Sequence, residues 1–158
     1  MRIGMNRFLY KITLKNKLWL IQTDTTVGFL SQDGVRLAQV KERPVDKPFV
    51  QVTASFKTLK TLARIPKTHA KRVRRSKKTS FVYSNNKAIR VVKDEKHAKF
   101  LKSFEWFYST SANERSLAYE EKFAYAKSDI IVEDKNGLYE GEASKIYRLC
   151  HSKIKRLR

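Results

Sequence analysis

The chain has 158 residues, 41% of them hydrophobic and 11% aromatic, and its 35 Lys and Arg outnumber its 15 Asp and Glu to give a net charge of +20. That length suits a single domain burying about two-thirds of its unfolded surface, and the aromatic content can fill a core. The charge calls for a polyanionic partner, nucleic acid before a membrane surface, and the lone Cys150 excludes an internal disulfide and suits a reducing, cytoplasmic compartment.

Three further classes drop out. His69, His97 and His151 form no i,i+4 pair and no Cys/His cluster, so a zinc site is unsupported. No stretch approaches the roughly 18 uncharged apolar residues of a membrane-spanning helix. The opening Met1-Arg2-Ile3-Gly4-Met5 has no long apolar run and does not read as a secretion leader. Cys150 reads as a packing residue.

In chain order, Phe8–Leu14 and Leu18–Gln22 are apolar and β-favouring, with Lys15-Asn16-Lys17 between them as a tight turn, so a hairpin is expected. Asp33-Gly34 punctuates the chain before a short helix bearing Val35, Leu37, Ala38 and Val40. Pro44 ends that helix by biasing Arg43 out of helical geometry. Lys41 and Arg43 are thus delivered at a helix end, as surface residues. Phe49–Val52 alternates as a half-buried strand. Ser55 can cap a helix with Phe56, Leu59, Leu62 and Ala63 on one face, closed by Pro66.

Residues 67–78 hold seven Lys and Arg in twelve positions, too polar to bury. Thr79–Tyr83 and Ala88–Val92 are expected as strands joined by a turn at 84–87. Asp94 can cap a helix carrying His97, Ala98, Leu101 and Phe104. Trp106-Phe107-Tyr108 leads as a buried strand into Ser109-Thr110-Ser111-Ala112-Asn113. A helix over Ala118–Lys127 follows, then a strand at Ile130–Val132, a turn at Asn136-Gly137 and a last strand at Lys145–Leu149. The alternation predicts an α/β domain with a twisted mixed sheet, short helices and an electropositive concave face, extending over residues 1–158. A basic tail occupies 150–158.

Four polar segments concentrate the chemistry: Gln22-Thr23-Asp24-Thr25, Lys41-Glu42-Arg43-Pro44 with Lys47-Pro48, Ser109–Asn113, and Ser144-Lys145-Ile146. Arg offers phosphate a planar fork and Lys a point charge. Ser111 and Asn113, two apart on an extended segment, face one side and can grip one ligand. Such a set suits charge stabilisation and positioning in phosphoryl chemistry.

In this order the segments resemble the YrdC/TsaC family, the threonylcarbamoyl-adenylate synthases of tRNA modification. The family runs Pro-Thr-Asp/Glu-Thr-Val-Tyr-Gly-Leu, Lys-x-Arg-Pro, Gly-Pro-x-Thr, a Val-Arg-Val strand, Ser-Ala-Asn-x-Ser-Gly and Ser-Thr-Ile. This chain shows Thr23-Asp24-Thr25 with Gly28, Lys41-Glu42-Arg43-Pro44, Thr79, Ile89-Arg90-Val91, Ser111-Ala112-Asn113 and Ser144-Lys145-Ile146, over about residues 18–149. It departs at Gln22, Thr26-Val27, Ser76-Lys77 and Glu114-Arg115-Ser116, where the family has Pro, Val-Tyr, Gly-Pro and x-Ser-Gly.

The resemblance implies a YrdC-like fold and an enzyme that joins L-threonine, bicarbonate and ATP, with Mg²⁺ carried by the nucleotide, into an adenylate for tRNA. It implies Lys41, Arg43 and Arg90 as catalytic residues. Lys41, Arg43, Lys47, Thr79, Ser111 and Asn113 would bind ATP. Thr23, Ser109 and Ser144 would surround threonine, with Arg90 near its carbamate or carboxylate. Threonylcarbamoyl-transfer proteins would be partners. The basic 67–78 stretch, immediately before Thr79, should rim the nucleotide pocket and offers Arg72, Arg74 and Arg75 to RNA, as tRNA or double-stranded RNA, with no role at a membrane. Two other readings stand beside this one: a trimmed RNA- or nucleotide-binding module without chemistry, and a carbamoyl-adenylate activity on another acceptor, as in hydrogenase-maturation relatives.

Overall fold

A computed structural model describes Lys11 and residues 13–158 of the protein. Among these residues nine strands form one mixed sheet: β1 (Trp19–Gln22), β2 (Val27–Ser31), β3 (Val50–Thr53), β4 (Thr79–Val82), β5 (Ala88–Val91), β6 (Trp106–Ser111), β7 (Ile130–Val132), β8 (Lys145–Leu149) and β9 (Ile154–Arg156). The helices are α1 (Gly34–Val40), α2 (Phe56–Leu62), α3 (Ala70–Arg75), α4 (Glu95–Lys102) and α5 (Glu121–Lys127), with a 3₁₀ turn at Lys67–His69. The strand order is β7-β1-β2-β6-β3-β5-β4-β8-β9. Pairs β1–β7, β3–β5 and β4–β8 are parallel; the other neighbours are antiparallel.

Local chemistry sets the helix starts. Asp33, Ser55 and Asp94 stand in extended geometry and accept backbone N–H bonds from the first turns of α1, α2 and α4, the usual satisfaction of orphaned amides. The alternating strand periodicity then assigns faces. On β6, Phe107 packs with Leu101 and Phe104 at α4, while Tyr108 packs on Phe49 and the α1 side. On β5, Ile89 joins Leu59 of α2, Val73 of α3, Phe81 and Tyr83, so Arg90 points to the opposite face. Helices α1, α2, α3 and α5 therefore cover one face. Helix α4 covers only the β1-β2-β6-β3 part of the other, and the rest of that face carries Arg90.

Three expectations are corrected. The N-terminal hairpin does not form: Thr13–Lys15 are helical, and Phe8–Tyr10 lie outside the described residues. The reason is that β1 has β2 on one side and β7 on the other, leaving no edge free. Leu14 instead accepts a hydrogen bond from Trp19 Nε1 at 2.9 Å. The chain also does not end its sheet at β8, because the basic tail turns back as β9. Cys150 is exposed rather than packed. No described helix is long and apolar enough to cross a membrane.

The segment after Gly137 crosses the β1–β2 turn. Tyr139 N donates to Gln22 Oε1, Val27 N to Tyr139 O, and Gly141 N to Thr26 Oγ1. A Cβ at Gly141 would lie 2.1 Å from the Thr25 carbonyl oxygen, so only glycine permits this approach. Gly141→Ala is expected to cost about 1–3 kcal/mol through overpacking. Urea denaturation checks it, and an unchanged midpoint with an unchanged slope contradicts the packing described.

Candidate functional site

The uncovered part of the α4 face opens into a cleft of about 390 Å³, within the roughly 300–1,000 Å³ usual for small-molecule sites. The 23–26 turn, the end of β6, the loop after α1, the middle of β5 and the start of β8 all contribute to it. Seven of its lining residues are Thr23, Arg43, Lys47, Arg90, Ser109, Ser111 and Ser144, so the structure brings together residues up to 121 positions apart in sequence. Lys41, Thr79 and Asn113, also expected here, do not line it.

Lys41 and Arg43 part company because of Glu42. This residue holds φ 47° at the end of α1, a left-handed conformation costing a non-glycine residue roughly 1–2 kcal/mol. The turn sends Lys41 inward and Arg43 into the cleft. Lys41 is buried, not a surface residue. Its Nζ donates to Ser111 O and Asn113 Oδ1, each at 3.0 Å, and to Asn113 O. Burial, and then the charge of Arg43, pull its ammonium down to about 8, so at neutral pH it is still mostly charged with all three donors in use. Asn113 Oδ1 also accepts from Ser111 Oγ at 2.5 Å, and its Nδ2 donates to Leu117 O. Lys41, Ser111 and Asn113 are thus one bonded unit, with Ser111 on its cleft side.

Arg43 lies with its guanidinium 4.2 Å from the Phe49 ring centroid. Its Nη2 donates to Lys47 O and Pro48 O, which fixes the 43–48 loop and brings exposed Lys47 to the cleft. Phe49 is the one aromatic lining residue among the described residues. Gly28, paired with Ser111 across β2–β6, keeps the floor low: a Cβ there would meet Thr110 O and Thr23 Cγ2 at 3.0 Å.

Arg90 is the deepest cation. Its Nη2 lies 3.0 Å from Asp24 Oδ1, and both side chains are at most 5% exposed. The Asp24 N–H donates to His97 Nδ1 at 3.2 Å, which makes that nitrogen an acceptor and puts the proton of a neutral ring on Nε2. Burial works to raise the Asp24 carboxyl. Its contacts with His97 and the Arg90 charge outweigh burial and hold it below its usual range; with Nδ1 accepting from the backbone, Arg90 is the cause that counts. Arg90 Nε is buried without a hydrogen-bond partner among the described residues, a donor suited to a ligand acceptor.

The Thr23 hydroxyl is used within its own turn, donating to Thr26 O at 2.6 Å and accepting from the amides of Thr25 and Thr26. It shapes the turn that places Asp24. Ser144 Oγ lies 3.0 Å from Ser80 Oγ. Arg158, expected only as part of the basic tail, lines the cleft and donates from Nε to Ser144 O at 3.0 Å and from Nη2 to Ser144 Oγ at 3.3 Å. Asp24 and His97 were also passed over as a pair; only the acidic position of the Thr-Asp-Thr motif hinted at them. Thr79 Oγ1 donates to Lys77 O. None of Arg72, Arg74 and Arg75 lines the cleft: Val73 anchors α3 on the other face, so this helix does not rim the pocket as expected. Among the described residues no group of three His, Cys, Asp or Glu could hold a metal ion.

Two outcomes follow from this geometry. Lys41→Ala removes a charged donor from Ser111 O, Asn113 O and Asn113 Oδ1, the last of which keeps only its bond from Ser111 Oγ, and is expected to lower stability by about 1–3 kcal/mol, whereas a melting curve matching the parent contradicts the buried assignment. Asp24→Asn strands the Arg90 charge and is expected to cost about 3–5 kcal/mol. The parent Asp24 binds its proton less tightly folded than unfolded. Its contribution is therefore complete above the ordinary value of 3.8 and fades as pH falls through the lower folded value. Unfolding free energies from pH 7 to pH 2 should fall less steeply in Asp24→Asn; parallel curves contradict the pairing.

No protein-family model matches the chain, and no curated protein matches it by sequence. Solved structures do match its fold. A double-alanine variant of Sua5 from P. abyssi aligns over 99% of this chain with TM-score 0.76 and 19% identity, and P. abyssi Sua5 complexed with L-threonine over 100% with TM-score 0.69 and 20% identity. The chain spans 58% and 56% of those two, a little over half their length. E. coli YciO aligns over 98% of this chain and 90% of its own, with TM-score 0.68 and 14% identity. The chain has a YrdC/TsaC-like fold.

Proposed function

We propose that this chain binds ATP, L-threonine and bicarbonate in the cleft and joins them as threonylcarbamoyl-adenylate for the modification of tRNA adenosine. The observation that carries the reading is the convergence of Arg43, Lys47, Arg90 and Arg158 with the hydroxyls of Ser109, Ser111 and Ser144 in one cleft. The same fold occurs in a Sua5 solved with L-threonine.

In this scheme the threonine amine attacks carbon dioxide, forms the N–C bond and loses a proton to give a carbamate. A carbamate oxygen then attacks the α-phosphorus as the bond to the β-phosphate oxygen breaks, and pyrophosphate leaves. Arg43 and Lys47 supply charge to triphosphate oxygens, in the manner of charge-assisted hydrogen bonds. Ser111, held from behind by Lys41 and Asn113, offers a small polar group beside them. Arg90 and Arg158, with Ser144 bonded to Arg158, form a seat for a carboxylate. The donor set fits anions, and Mg²⁺ would arrive on the triphosphate. The adenylate would pass in the cytoplasm to a transfer protein acting on tRNA.

Purified protein given ATP and bicarbonate is expected to release pyrophosphate only when L-threonine is added. Nucleotide binding without threonine-dependent release overturns the enzyme and favours a binding module. Arg43→Ala should weaken ATP binding about ten- to a hundredfold, the equivalent of roughly 1.5–3 kcal/mol for a charged hydrogen bond; equal affinity in titration calorimetry removes Arg43 from the site.

A further inference from the structure

The cations of this molecule are segregated. Residues 47–93 carry fourteen Lys and Arg, residues 143–158 carry six, and neither segment contains an Asp or Glu. The remaining residues carry fifteen Lys and Arg together with all 15 Asp and Glu. The whole net charge of +20 therefore belongs to the two acid-free segments. The topology places them side by side. They supply β3, β5, β4, β8 and β9, an unbroken run at one end of the sheet, with α2 and α3 on its covered face. The neutral segments supply β7, β1, β2 and β6. The cleft lies on the boundary and takes residues from both halves.

The two most basic elements of the charged half are fastened to each other. His69 Nε2 lies 2.9 Å from Cys150 O, and Thr68 Oγ1 donates to His151 O at 2.8 Å. Val73, Leu149 and Ile154 share one apolar cluster. This docks α3 on the β8–β9 hairpin with Lys71, Arg72, Arg74, Arg75, Lys153, Lys155 and Arg156 all exposed. Among the described residues none of these seven is paired with a carboxylate. So dense a field repels itself and is lowered by a polyanion.

We propose that this end of the molecule binds the phosphate backbone of RNA, with α3 and the β8–β9 hairpin as its two contact elements. A membrane-surface role would place apolar side chains among the cations. Of the large exposed apolar residues, Val35, Val45, Leu117, Ile131, Val132 and Tyr139 lie in the neutral segments and only Leu157 in the charged ones. The surface stands on charge and topology alone; the choice of RNA over DNA rests on the proposed tRNA-related reading.

The test is fluorescence anisotropy with a labelled RNA hairpin over a salt series, on nucleotide-free protein. Log affinity should fall linearly with log salt. The triple variant Arg72→Ala/Arg74→Ala/Arg75→Ala and the triple variant Lys153→Ala/Lys155→Ala/Arg156→Ala should each flatten the slope by up to about two to three units, three contacts at roughly 0.7–0.9 each. Lys99→Ala/Lys102→Ala/Lys122→Ala removes the same charge from the neutral half and should leave the slope unchanged. Thermal melts of all three establish that they are folded. A control variant that flattens the slope as much as the others overturns the surface. Tighter binding to a DNA duplex of equal length, or to phosphatidylserine vesicles, overturns the assignment to RNA. Pyrophosphate release is not read in this assay, so loss of the proposed chemistry and loss of the surface are told apart.

Discussion

The structure turns on one ion pair. Arg90 comes from the centre of β5 in the charged half, and Asp24 from the β1–β2 turn in the neutral half. A lone guanidinium buried this deeply costs several kcal/mol, and the mutual attraction offsets that only if the geometry holds. The Thr23 hydroxyl locks the turn around Asp24, and the Asp24 amide is seated on His97 of α4. One carboxylate thus fastens the two halves, fixes the floor of the cleft and stays ionised while doing so. Among the described residues no Asp or Glu lines the cleft, and none forms an ion pair with Arg43, Lys47 or Arg158.

A second constraint explains how neighbouring cations take unlike roles. Lys41 and Arg43 sit one residue apart on either side of a left-handed Glu42. The lysine becomes an internal brace with three oxygen partners, and the arginine becomes part of the cleft wall. A flexible ammonium with three rotatable donors suits the brace; a planar fork lying on Phe49 suits the wall. The Ser111 lining of the cleft is thus braced from behind by a buried lysine.

Local chemistry made much of the fold legible. Ser55 and Asp94 stand where caps stand because short polar side chains satisfy amides that nothing else can reach. The 84–87 turn and the apolar run Trp106–Tyr108 were equally local. The N-terminal hairpin failed because its rival partners for β1 lie more than a hundred residues away in β7. Strand β9, and with it the place of Arg158 in the cleft, was hidden because a lysine-rich tail gives no apolar alternation. One loop carries no such mark: Ser116 holds φ 63°, a left-handed conformation that glycine usually signals. In the site, residue types were readable from the motifs, but the pairing of Asp24 with Arg90 and the inward turn of Lys41 are tertiary facts.

The central claim is that the cleft makes an adenylate from a carbamate. The most direct measurement is mass spectrometry of the product formed from ATP, L-threonine and ¹³C-bicarbonate. The account predicts an adduct containing threonine, AMP and one labelled carbon. A threonine–AMP adduct without the label, or no adduct from protein that binds ATP, contradicts it.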